Sequence, residues 1–153
     1  MIINAWFKKA DRHLDVCDIC FEIEDYDFIV LSCFLAMFSV IKALLISKNI
    51  ECKTHEGLIY LFKINFVDTD LFDRELFRFY CKTKELHTEF FRVNLDIFTE
   101  ELAREVFEKT VTFVDYSKDF LNFPALRGRG FANQKIIFWN FTAPPPRRVL
   151  NLF

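Results

Sequence analysis

Turn-forming residues are scarce. The 153 residues include only three glycines and four prolines. A many-stranded sheet spends such residues at every reversal, so the shortage favours long helices. Cysteine is limited to positions 17, 20, 33, 52 and 81. An odd count argues against a complete disulfide framework, and the first residues do not read as a secretory leader. Both observations predict a reduced, cytoplasmic setting. Histidine is confined to His13, His55 and His87, without carboxylates at ligand spacing, so neither a metal site nor a cofactor is expected. Charge is nearly balanced at −2.

Phenylalanine is abundant, with 21 copies in a chain that is 52% hydrophobic and 27% charged. Aromatic side chains each bury about 150–250 Å², so this number predicts a thick core or an apolar contact surface. The length suits one domain able to stabilise itself without metals or disulfides. Charge and proline are unevenly distributed. From Leu121 onward lie Arg127, Arg129, Lys135, Arg147 and Arg148 with no acid, which leaves 15 basic against 22 acidic residues before them. All four prolines also fall there. We therefore divide the chain into a helical body, 1–122, and a basic, proline-containing C-terminal tail, 123–153.

Five segments of the body carry helical periodicity. In 4–23, Phe7, Ala10, Leu14, Cys17 and Phe21 form one stripe opposite Lys8, Asp11, Asp15, Asp18 and Glu22. The Cys17-x-x-Cys20 pair reads either as a redox or half-zinc motif or as two buried thiols one turn apart. Without a βαβ context or a second pair, the buried reading is favoured. His13 is expected to be solvated.

Segment 25–48 opens on Asp25 and Asp27, and between 28 and 46 only Ser32, Ser39 and Lys42 are polar. Its length permits a membrane span. Lys42, and acidic rather than basic residues in front, favour a central bundle helix instead. Asn49 tolerates the left-handed turn that ends such a helix. Thr54 is the expected N-cap of a helix reaching Phe66, Asp68 or Asp70 that of a helix running to about Phe90, and Thr99 that of 99–121. The predicted fold is all-α: an antiparallel bundle of four or five helices with an irregular tail. In that tail Gly128-Arg129-Gly130 reads as a loop, Lys135–Phe141 as a short strand, docked segment or dimer arm, and Pro144-Pro145-Pro146 as extended chain.

A more specific pattern runs through the middle of the body. Cys33-Phe34-Leu35-Ala36-Met37-Phe38 continues into Lys42-Ala43-Leu44-Leu45, followed by Lys53-Thr54-His55 and Gly57-Leu58. This ordered pair of motifs resembles the HEPN family, in the branch related to partners of minimal nucleotidyltransferases. A weaker likeness extends over 5–121. The resemblance implies a helical bundle, usually a homodimer, and in many members a metal-independent RNase. The family's RNase motif is Arg, four to six residues, then His. The His handles protons at the 2′-hydroxyl or leaving oxygen, and the Arg holds phosphate charge.

The equivalent stretch here is Cys81–Phe90, where Lys82 and His87 are the nearest counterparts. Lysine keeps the charge but lacks the bidentate fork. Aligned with the branch's Arg-x-x-Ala-Asp-Tyr pattern, Glu85, Glu89 and Phe90 replace Arg, Asp and Tyr, and Phe90 offers no hydroxyl for nucleotide transfer. The first expectation is therefore a dimeric interaction protein with a degenerate RNase motif, partnering a nucleotidyltransferase in a defence or toxin–antitoxin module. The alternative is an endoribonuclease toxin with His87 and Lys82 as catalytic candidates and Arg78, Lys84 and His55 as phosphate or RNA contacts. No membrane partner is expected.

Overall fold

A computed structural model describes residues 2–92 and 97–122. Helices α1 (Ile2–Glu22) and α2 (Tyr26–Ser47) form an antiparallel pair. A short α3 (His55–Phe62) runs into a π-turn (Lys63–Val67), followed by α4 (Arg74–Phe90) and α5 (Glu100–Asn122). The all-α bundle read from the sequence is the observed architecture. The tail's loop, strand and proline stretch lie outside the described residues.

α2 occupies the centre because it is apolar on almost every side. Ile29, Val30, Cys33, Phe34, Met37, Val40, Ile41 and Leu44 are all at most 1% exposed. By length and composition α2 could cross a bilayer, but α1, α3, α4 and α5 all pack on it. Lys42, its one charged residue past the first turn, donates from Nζ to the carbonyl of Cys52 in the loop before α3. Buried hydroxyls on the helices bond back to the preceding turn: Ser39 to Leu35, Thr83 to Phe79, Thr110 to Val106 and Ser117 to Phe113, all within 2.7–2.9 Å. They enter the core without an unpaired donor.

The turns that end α1 and α2 are made without glycine. Glu24 and Asn49 sit at φ 59° and 58°. In each case the next amide reaches back across the helix end, Asp25 to Cys20 at 2.9 Å and Ile50 to Leu45 at 3.0 Å, closing a Schellman motif. Thr54 caps α3 through the Gly57 amide at 3.1 Å, and Thr99 caps α5 through that of Leu102 at 3.1 Å.

Two helix boundaries differ from those expected. The α-helix from Thr54 does not reach Phe66 as α-helix. It widens to a π-turn after Phe62, where the Asp68 amide bonds Lys63 at 2.8 Å. The wider turn brings Phe66 over Phe62, with ring centroids 5.0 Å apart, and its Asn65 carbonyl receives Lys48 Nζ at 2.8 Å. The cap of α4 is Asp73 rather than Asp68 or Asp70. Its carboxylate accepts from the Glu75 and Leu76 amides at 2.8 and 3.1 Å. Asp68 pairs instead with Lys63, and Asp70 takes the left-handed turn at φ 56°.

The Cys17–Cys20 pair is buried in the α1–α2 interface, with Cys17 Sγ 3.8 Å from Cys33 Sγ. His13 is half-buried rather than solvated, and burial, followed by the charge of Lys9, lowers its pKa.

Candidate functional site

Phe34 projects from the middle of α2 and is 1% exposed. Four rings gather on it. Tyr80 of α4 stacks at 5.6 Å, His87 of α4 at 4.4 Å and His55 of α3 at 5.4 Å, while Phe38 lies one α2 turn away at 6.5 Å. His55 also packs on Phe38 at 4.7 Å. One buried phenylalanine thus brings together two histidines 32 positions apart in the chain.

Local sequence explains each placement. His55 is the first residue of α3, fixed by the Thr54 cap. Gly57 suits the crowded first turn of α3, where a Cβ would lie 2.8 Å from both Cys52 Sγ and Thr54 Oγ1. On α4, Tyr80, Lys84, His87 and Phe91 follow at intervals of four, three and four, so they share one face. Phe91 closes α4 and meets His87 edge-on at 5.2 Å.

Both histidines are half-buried. Burial is the main influence on His87 and lowers its pKa, and His55 and Lys84 push it down further. His55 is likewise lowered by burial first, then by Lys84 and Lys42, against an opposing effect of Glu56. Its Nε2 is buried without a hydrogen-bond partner. Burial also raises the Tyr80 phenol, whose hydroxyl is unpartnered. Neutral imidazoles can accept protons, and the lysine ammonium beside them attracts an anion. A phosphate placed there would offset Lys84 and raise the imidazoles' proton affinity.

The structure separates the sequence candidates. Lys84 acts on both histidines. Lys82 lies five residues before His87, about 140° around the helix, and pairs with Glu85 at 3.4 Å. Arg78 lies about 180° away and is ion-paired with Glu75. Neither shares the histidine face. Sequence reasoning missed Phe34 as the common support, together with Phe38, Tyr80, Lys42 and Phe91. The signal for the α4 members was their shared helical face with His87. Nothing local linked α3 to α4. Among the described residues, no group of three or more His, Cys, Asp or Glu side chains is placed to hold a metal.

Comparison with known proteins finds relatives of the chain as a whole. Residues 3–120 match the HEPN domain. A Methanocaldococcus jannaschii protein named "Putative toxin MJ0142" is 30% identical over 120 residues, covering 78% of this chain and 81% of that protein. A second from the same organism, "Putative toxin MJ0605", is 31% identical over 119 residues, 78% of this chain and 88% of that protein. A Thermotoga maritima "UPF0332 protein" is 28% identical over 114 residues, 74% of this chain and 86% of that protein.

Proposed function

Because the chain belongs to the HEPN domain family, we propose that it is a toxin-type protein that cleaves RNA without a metal at a centre built on His87, Lys84 and His55. The observation that carries this is the convergence of both histidines on the Phe34 ring with Lys84 beside them. A neutral His87 takes the proton of a 2′-hydroxyl, and the freed oxygen attacks the adjacent phosphorus. Lys84 offsets the charge that builds on the phosphate. In a homodimer the second copy's His87, protonated, returns a proton to the leaving 5′-oxygen. The products are a 2′,3′-cyclic phosphate and a 5′-hydroxyl end. His55 and Lys84 favour the neutral form of the His87 that acts as base, and bound phosphate favours the protonated form of the His87 that acts as acid. The cytoplasm, where RNA is available, is the setting this activity requires.

A second reading keeps the bundle as a binding subunit that dimerises and holds a minimal nucleotidyltransferase. It is favoured by Lys82, which faces away from His87 and leaves the RNase motif without its paired cation. One experiment separates the two: RNA cleavage in EDTA by wild type, His87→Ala and Lys84→Ala, with oligomer size measured on the same samples. Cleavage by the wild type that is lost in His87→Ala supports the nuclease. A folded wild-type dimer that leaves RNA intact refutes it and favours the binding subunit.

A further inference from the structure

The aromatic surface does not stop at His87. Phe91 is 70% exposed, and its neighbours His87 and Phe90 meet it edge-on at 5.2 and 5.1 Å. Phe90 in turn meets Phe28, from the first turn of α2, at 6.3 Å, and Phe28 is 40% exposed. A file of rings therefore runs from the buried Phe34 through His87 and Phe91 to solvent. Phe91 is held in place at its inner edge and open over most of its surface. Positive charge lies at the inner end of the file, on Lys84 beside both histidines and on Lys42 near His55.

An anion site adjoining an exposed, supported aromatic ring matches one nucleotide of unpaired RNA, with its phosphate at the cations and its base on the ring. Bases in a duplex are already stacked on each other and present no free face. We infer that Phe91, backed by Phe90 and Phe28, is a stacking platform for the base next to the phosphate held at His87 and Lys84, and that it selects single-stranded over duplex RNA. The inference rests on the RNA reading above.

The test uses the full chain and a short single-stranded RNA with 2′-O-methyl riboses, which cannot be cleaved, carrying 2-aminopurine at successive positions. Wild type should quench the fluorophore at one position and bind the matching duplex more weakly. Phe91→Ala should weaken binding of the single strand by about ten- to hundred-fold and abolish the quench, at unchanged oligomer size. Phe91→Tyr should restore both. Binding within about twofold of wild type in Phe91→Ala would overturn the platform, as would wild-type binding without a quench at any position. Loss of binding together with a change in oligomer size would make Phe91 a subunit contact and overturn it equally. If wild type binds no RNA, the platform and the RNA reading fail together. A quench without cleavage of ordinary RNA would sink only the nuclease.

Discussion

Replacing Phe34 with leucine probes the centre of the site and the centre of the core in one step. The ring is 1% exposed and stacks on Tyr80, His55 and His87. Leucine keeps the site apolar but removes the flat surface. Aromatic pairs contribute about 0.5–1.5 kcal/mol each beyond their buried area, but three pairs on one ring do not add fully. The smaller side chain also leaves a partial cavity. Together these give an expected loss of about 2–3 kcal/mol, or a fall in Tm of roughly 4–12 °C for a domain of this size. Tyr60→Leu, at a position 62% exposed, is the control and should cost under about 0.5 kcal/mol. Thermal unfolding followed by circular dichroism measures both. NMR titration of the histidine ring protons supplies the second readout. His55 and His87 should both move toward the ordinary value near 6.5 as water gains access to their rings. A Phe34→Leu protein as stable as the control, with both titrations unmoved, would refute the idea that this ring is their common support.

Three further outcomes follow from the same geometry. His13, His55 and His87 all have folded-state pKa values lowered mainly by burial, so the unfolded chain binds their protons more readily. Stability should fall as the pH drops through about 6.5 and stop falling on this account below the folded values. His87→Gln should show a smaller loss than wild type over that window, and parallel denaturation curves would contradict the assignment. Lys84→Gln removes a charge that opposes protonation of His55 and His87, so both titrations should shift upward, whereas Lys82→Gln, on the other side of α4, should leave them in place. Gly57→Ala should destabilise by about 1–2 kcal/mol, because its Cβ would sit 2.8 Å from Cys52 Sγ and Thr54 Oγ1; a gain in stability in urea unfolding, the usual result of adding alanine to a helix, would show that the turn has room.

The helices were legible because their signals are local. Thr54, Thr99 and Asn49 announce their turns through short-range backbone chemistry, and the apolar run of α2 fixes its central place. The π-turn was not legible. It depends on Phe66 reaching Phe62 and on Lys48 bonding the Asn65 carbonyl, contacts made after the chain folds back. Asp73 lost out to Asp68 and Asp70 in the sequence because all three are acceptable caps, and tertiary packing decides where α4 begins. At the site, His87 and Lys84 could be paired by helical spacing, and Lys82 could have been set aside by the same rule. The meeting of His55 with His87 could not be read, since it runs through Phe34 on a third helix. A ring in an apolar run carries no mark of which neighbours it will support.

The central position of α2 also bears on how the chain assembles. It shares its largest contacts with α1 and α5 and also packs on α3 and α4, and it is the least able to stand alone in water. During synthesis it emerges directly after α1, with which it shares its most extensive contact, so an α1–α2 hairpin is the earliest shelter available. The outer faces of that hairpin stay bare until α4 and α5 arrive. The half of the chain that carries His87 is therefore also the half that completes the cover over α2.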